Sequence, residues 1–306
     1  MDALETRALT KLYGSTRAVD ALDMHVPRGS IYGFVGKNGS GKSTTMKLAS
    51  GLVTPTSGEV LLFGRRRTPD IPIGTLIEMP GIIGGLSALD NLMTKATALG
   101  VVRAKAQCQG LLALVGLTEV AKRHVKGFSL GMKQRLGIAL ALIGAPDLLL
   151  LDEPLNGLDP EAARSTREML RGLAANHSMT IVISSHVIDQ LNRVVDRFGV
   201  ISRGRIVSEF TDAEMRAACG DSIHLRTTNP PRTVAVLERE LPNVHLSLGG
   251  TDAISLTATS SGGLPTTEEV ARILHANGLI PLEIGMHSRD IEDYFVELME
   301  KGETHV

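Results

Sequence analysis

The sequence predicts an α/β domain with a largely parallel sheet, followed by a smaller α+β domain. Three observations support this. Short apolar runs at Ile31–Val35, Leu148–Leu151 and Ile181–Ile183 suit strands covered on both faces. Helix-period stretches separate them, so strands and helices alternate over residues 1 to about 210. After Gly220 the pattern changes to shorter, mixed elements.

Taken in order, Ile31–Val35 is the first buried strand, and a helix is expected from Thr44 to Ala49, ending near Gly51. Met132, Leu136, Ala139, Leu140 and Ile143 fall at helical spacing before Pro146 stops the helix. Leu148–Leu151 and Ile181–Ile183 complete the strands of the larger domain, placed at residues 1–218. The second domain, 221–306, reads as a strand at Ser222–Arg226, a helix at Thr233–Leu241 and strands at Val244–Leu248 and Ala253–Thr259. A helix at Thr267–Ala276, stopped by Gly278, and a strand at Leu279–Ile284 follow. The order β-α-β-β-α-β fits a ferredoxin-like unit with one added helix, Asp290–Lys301. That helix carries an apolar stripe of Ile291, Phe295, Leu298 and Met299. The stripe packs either inside its own small domain or against the larger domain or a second subunit.

Composition narrows the function. The 306 residues are 43% hydrophobic and 21% charged, the mix of a globular protein with a real core. A net charge of −1 predicts no nucleic-acid partner. Arg65–Arg67 reads as a solvated loop between Gly64 and Pro69. Cys108 and Cys219 stand far apart, and His224, His245, His275 and His287 fall on different elements, so no metal site is expected from either set. The start lacks a secretion leader, and the most apolar region, Leu136–Leu151, is broken by Pro146 and Asp147. A cytoplasmic chain is expected, and work at a membrane requires another chain to supply the membrane part.

Gly36-Lys37-Asn38-Gly39-Ser40-Gly41-Lys42-Ser43 matches the phosphate loop G-x-x-x-x-G-K-S, and Thr44 follows. Its glycines let consecutive backbone N–H groups point at phosphate oxygens. Lys42 then reaches the β- and γ-phosphates, and the Ser43 hydroxyl ligates Mg²⁺. The helix behind the loop adds its positive end. Asp152 and Glu153 close the four-leucine strand, where ligands bind in open parallel sheets. Asp152 suits Mg²⁺ ligation, and Glu153 suits polarising an attacking water.

Ser129-Leu130-Gly131-Met132-Lys133-Gln134-Arg135 resembles the signature motif of the ATP-binding-cassette (ABC) family, usually Leu-Ser-Gly-Gly-Gln followed by Gln-Arg. Phe128, Leu130 and Met132 depart from that consensus, while Ser129, Gly131, Gln134 and Arg135 stand. The resemblance covers residues 4 to about 215 and implies a P-loop NTPase cassette: a RecA-like core with a helical subdomain carrying the signature. It implies an ATPase with ATP and Mg²⁺ as ligands, in which the signature caps the γ-phosphate held by the other subunit. Tyr13, 23 residues before Gly36, resembles the aromatic that stacks on adenine. Asn156-Gly157-Leu158-Asp159 resembles the segment linking the two ATP sites, and Asp159 before Pro160 is also a plain helix cap. His186, in Ser184-Ser185-His186, resembles the switch histidine on the γ-phosphate.

One departure is informative. Glu78, 36 residues after Lys42, stands where most family members have a glutamine ligand for Mg²⁺. Glutamate there, the altered signature and the C-terminal extension resemble the bacitracin and lantibiotic self-protection exporters. The resemblance implies a subunit that pairs with a second copy or a homologous ATPase subunit. The pair would lie peripherally on the inner face of the cell membrane and power an integral membrane permease on a separate chain. The expected cargo is a peptide antibiotic or other hydrophobic compound. The competing expectation is a soluble ABC switch or assembly factor. Ribosomal types usually have two cassettes and repair types a long coiled coil, and neither pattern is present, while an iron–sulfur assembly role is less excluded.

Overall fold

The computed structural model describes residues 2–78, 81–219, 221–248, 253–258, 263–288 and 290–304. Gly220, Thr259 and the end of the expected second domain at 305–306, all named above, lie outside the described residues. Two compact units emerge, Met1–Asp212 with Val296–Val306, and Ala213–Phe295.

The first unit opens with strands β1 (Asp2–Tyr13), β2 (Thr16–Pro27) and β3 (Ile31–Val35), followed by helix α1 (Lys42–Ser50). Strands β4 (Ser57–Leu62), β5 (Arg65–Arg66) and β6 (Gly74–Leu76) precede helices α2 (Ala88–Ala98), α3 (Ala104–Leu114) and α4 (Leu130–Ala141). Then come β7 (Leu148–Asp152), α5 (Pro160–His177), β8 (Thr180–Ser185), α6 (Ile188–Leu191), β9 (Arg197–Ser202) and β10 (Arg205–Thr211).

Among the described residues these strands form two sheets. One has the order β2-β1-β4-β5 and is antiparallel; the other runs β10-β9-β3-β8-β7-β6. In the second sheet every neighbour pair is parallel except β10 on β9. The all-apolar run of the four leucines is explained here, because every residue of β7 is buried. Leu4, Leu22, Tyr32, Phe34, Met46, Leu148 and Leu150 share one core, which unites both sheets with α1. The helices α2 to α4 bury a separate cluster around Leu92, Cys108, Leu112, Phe128 and Leu136. Arg65–Arg67 is not a loop: Arg65 and Arg66 pair with β4, Arg66 bonds Glu59, and Arg67 donates to the Ser50 carbonyl. Arg65 and Arg66 fold back on the adjacent β4 in a tight hairpin, and only the partner of Arg67 is distant in sequence.

Strand order positions the site. The carboxyl ends of β3, β8, β7 and β6 lie side by side in that order. Register sets Val35 beside Ser185, and Ser184 beside Asp152. Gly36, His186, Glu153 and Glu78 therefore all leave the same edge of one sheet.

The second unit contains most of α7 (Asp212–Ala218), then β11 (Asp221–Thr227), α8 (Pro230–Glu240), β12 (Val244–Leu248), β13 (Ala253–Ala258), α9 (Thr267–Ala276) and β14 (Pro281–Ser288). Its sheet has the order β12-β13-β11-β14 with antiparallel neighbours, the strand arrangement of a ferredoxin-like unit. Asn229 and Thr266 cap α8 and α9, and Pro230 and Pro231 start α8 earlier than apolar spacing alone suggests. Leu279 donates to the Leu274 carbonyl, which delays β14 to Pro281. Ile223, Leu225, Leu237, Ile254, Val270 and Leu274 form the core. The histidines of this region are not all separate. His224 on β11 and His287 on β14 bring their ring centroids within 4.7 Å, because the two strands are neighbours. The chain closes with α10 (Ile291–Thr304), whose Phe295 and Met299 are buried while Ile291 and Leu298 are half-buried.

Leu150→Ala leaves a cavity in the strand that carries Asp152. It should lower the unfolding free energy by about 2–5 kcal/mol, read from urea unfolding.

Candidate active site

The loop between β3 and α1 is built for close backbone approach. A Cβ on Gly36 would lie 2.5 Å from the Ile201 carbonyl oxygen and 2.6 Å from Ser40 Oγ. Gly41 has φ +110°, and a Cβ there would meet the Ala18 carbonyl oxygen at 2.5 Å. Side chains at these positions would displace the loop. Lys42 opens α1 with its amine buried, donating to the carbonyls of Gly36 at 2.7 Å and Lys37 at 3.1 Å. Burial holds its pKa below the ordinary lysine value, against the opposing pull of Glu153 and Asp152. Ser40 Oγ is buried with no hydrogen-bond partner among the described residues. A ligand oxygen or water satisfies such a group.

Asp152 is buried at the end of β7 and accepts a hydrogen bond from Ser184 Oγ on β8. The same Ser184 oxygen accepts from the backbone N–H of Glu153 at 3.0 Å. Glu153 has φ +50°, a conformation that non-glycine residues rarely adopt, and there the chain leaves the strand. Both its carboxylate oxygens lie 2.9 Å from His186 Nδ1, and one lies 4.0 Å from Lys42 Nζ.

A cavity of about 310 Å³ gathers Asn38, Gly39, Gly41, Lys42, Ser43 and Thr44 with Glu153, Asn156 and His186. An adjoining cavity of about 560 Å³ is lined by Glu78, Asp152 and Glu153, with Lys133 and Gln134 from α4. Glu78 is exposed, has φ +64° and pairs with Lys47 of α1. Ser43, Asp152 and Glu78 together offer only hard oxygen donors, the set that a divalent cation such as Mg²⁺ takes.

Other expected site residues stand apart from the smaller cavity. Ser129 caps α4, accepting from the Met132 N–H at 3.3 Å. Gly131 is buried where a Cβ would lie 3.3 Å from that of Ala162. Asp159 accepts from the Ala162 N–H at 2.9 Å and caps α5. Tyr13 is 48% exposed, with the Lys11 amine 5.2 Å over its ring. None of the four lines the cavity of Lys42 and Glu153. Sequence reading missed two groups the structure brings in. The clamp role of Ser184 depends on cross-strand register, and Lys47 has no motif of its own. Asn156, named only as part of a linking segment, lines both cavities.

The ABC transporter family matches residues 19–156. Over 304 residues the chain is 36% identical to the bacitracin transport ATP-binding protein BcrA of Bacillus licheniformis, covering 98% of each. The chain belongs to the ABC transporter ATP-binding family. It is 44% identical over 208 residues to the lantibiotic transport ATP-binding protein SrtF of Streptococcus pyogenes, covering 67% of this chain and 90% of that one. A solved ATP-binding subunit of an ABC transporter superposes with a TM-score of 0.62 at 28% identity, covering 70% of this chain and 92% of its own. A dimeric ATP-binding cassette bound to ADP and Pi shares the fold, with a TM-score of 0.63 at 23% identity, over 68% and 98% of the two chains. This ABC subunit binds and hydrolyses ATP in a transporter. No helix among its described residues is long and apolar enough to cross a membrane.

Ser184→Ala removes the donor to buried Asp152 and the acceptor of the Glu153 N–H. The variant should lose about 1–3 kcal/mol of stability and hydrolyse ATP more slowly. Thermal melting and phosphate-release assays check the two effects.

Proposed function

We propose that two copies of this subunit, or one copy and a homologous subunit, close around two ATP molecules and so drive a permease carried on a separate chain. One observation carries the reading: Ser129, Gly131 and Asp159 lie outside the cavity formed by their own phosphate loop. A Ser hydroxyl and a helix N-terminus at α4 make an anion site, and a second subunit's nucleotide supplies the anion.

In this reading the loop from Gly36 to Thr44, including Lys37, Asn38, Gly39 and Ser40, wraps the phosphates, and Lys42 neutralises the β- and γ-groups. Tyr13 stacks on adenine. Ser43, Asp152 and Glu78 hold Mg²⁺, which when bound withdraws charge from the phosphate oxygens. Glu153 accepts the proton of the attacking water, and His186 fixes the Glu153 carboxylate and faces the γ-phosphate. The subunit lies peripherally on the inner face of the cell membrane. Pro80–Leu89, of which Pro80 lies outside the described residues, is the proposed contact for a cytoplasmic helix of the permease, and a cavity of about 410 Å³ beside it is lined by Ile77, Gly81, Ile83, Asn91 and Lys95.

The cargo proposed is a peptide antibiotic or another hydrophobic compound moving outward. Support comes from relatives named for bacitracin and lantibiotic transport and, at 34% identity over 246 residues, from the daunorubicin/doxorubicin resistance ATP-binding protein DrrA of Streptomyces peucetius. The soluble-switch alternative is disfavoured, because the similarity to a named transport subunit runs through 98% of the chain.

Lys42→Ala should abolish tight ATP binding, as read by equilibrium titration with labelled nucleotide. Glu153→Gln should keep binding while slowing turnover by ~10²-fold or more. It should also accumulate as a dimer with ATP on size-exclusion chromatography. A Glu153→Gln protein that stays monomeric with ATP would remove the basis for the paired site.

A further inference from the structure

Three carboxylates, Glu78, Asp152 and Glu153, line one cavity beside the loop that receives a polyanionic nucleotide. Each repels the others and the phosphates, so each needs a compensating partner. Asp152 has the Ser184 hydroxyl, and Glu153 has His186 and, at 4.0 Å, Lys42. Glu78 has Lys47. This lysine lies on α1, five residues beyond Lys42, so its backbone is rigidly continuous with the phosphate loop. Its amine bonds the Glu78 carboxylate, and that bond is the first cause holding its pKa above the ordinary lysine value. Tyr13 and Asp152 contribute in the same direction. The Glu78 side chain, off the end of β6, is 64% exposed, so its carboxylate direction depends on what holds it.

We propose that Lys47 is a positioning residue for Glu78, holding its carboxylate on α1 until a divalent cation at the nucleotide takes its place. The inference rests on the ATP site proposed above and adds to it a competition between an internal cation and Mg²⁺ for one carboxylate.

The test measures nucleotide binding rather than turnover, with the fluorescent analogue TNP-ATP titrated at a series of Mg²⁺ concentrations. Removing the competitor in Lys47→Met should lower the Mg²⁺ concentration that half-restores tight binding by about 3-fold. In a Glu78→Gln background the same substitution should shift that midpoint by less than about 1.5-fold, since no carboxylate is left to contest. Lys47→Arg preserves the ion pair and should follow the wild-type curve. Lys47→Gln serves as the second neutral variant if Lys47→Met melts early. Equal shifts in both backgrounds would reduce Lys47 to a distant charge and overturn the inference, as would no shift in either. A wild-type chain that does not bind TNP-ATP overturns the ATP site itself, and this inference with it.

Discussion

The phosphate loop, His186, Asp152, Glu153 and Glu78 all leave one end of one largely parallel sheet. The backbone hydrogen bonding of β3, β8, β7 and β6 brings four strand ends together, and each end delivers one part. Strand β3 runs into the phosphate loop, β8 into His186, β7 into Asp152 and Glu153, and β6 toward Glu78. Strands covered on both faces slip in register only by breaking buried backbone bonds, so the relative placement of these ends is rigid. That rigidity would let the proposed polyanion, divalent cation and water be handled without rearrangement of the core beneath them.

Charge is the other organising constraint. The edge concentrates carboxylates where a triphosphate must bind, and local partners answer each of them. Ser184 serves two masters, donating to Asp152 and accepting from the Glu153 N–H, so one hydroxyl sets the metal-ligand candidate and the base candidate together. Lys42 donates to the carbonyls of Gly36 and Lys37, so its buried ammonium does not stand unpaired.

Much of this was legible in the sequence because it depends on local chemistry. A glycine-rich stretch between a strand and a helix, two acids after four leucines, and a serine before a helical run each state their structure within a dozen residues. The β-α-β-β-α-β order of the second unit was legible for the same reason, through caps and alternating apolar positions. What stayed hidden depends on register and strand order. The Ser184 clamp exists only because β8 pairs with β7 at Asp152, and the His224–His287 contact only because β11 neighbours β14. The pairing of Arg66 with Glu59 required β5 to fold back on β4, which no propensity in Arg65–Arg67 announces. The Lys47–Glu78 pair spans 31 residues and joins a helix to the end of an edge strand.

The placement of the signature serine explains why the cassette's chemistry and its mechanical output can be one event. Ser129 begins α4, whose hydrophobic side is fixed in the helical cluster with Leu92, Leu112 and Phe128. Lys133 and Gln134 on the same helix line the cavity that also holds Glu78 and Asp152. In the proposed pair, a nucleotide bridging one subunit's phosphate loop and the other's Ser129 would pull on α4 as a body, since its buried face leaves little freedom to move residue by residue. The helical cluster also contains α2, which contributes Asn91 and Lys95 to the cavity beside residues 81–83. In that pair, movement of α4 would reach the surface proposed for the permease through the packed side chains of the helical cluster. The free energy of closing two anion sites on shared phosphates would then be available at a distance from the bond that is broken.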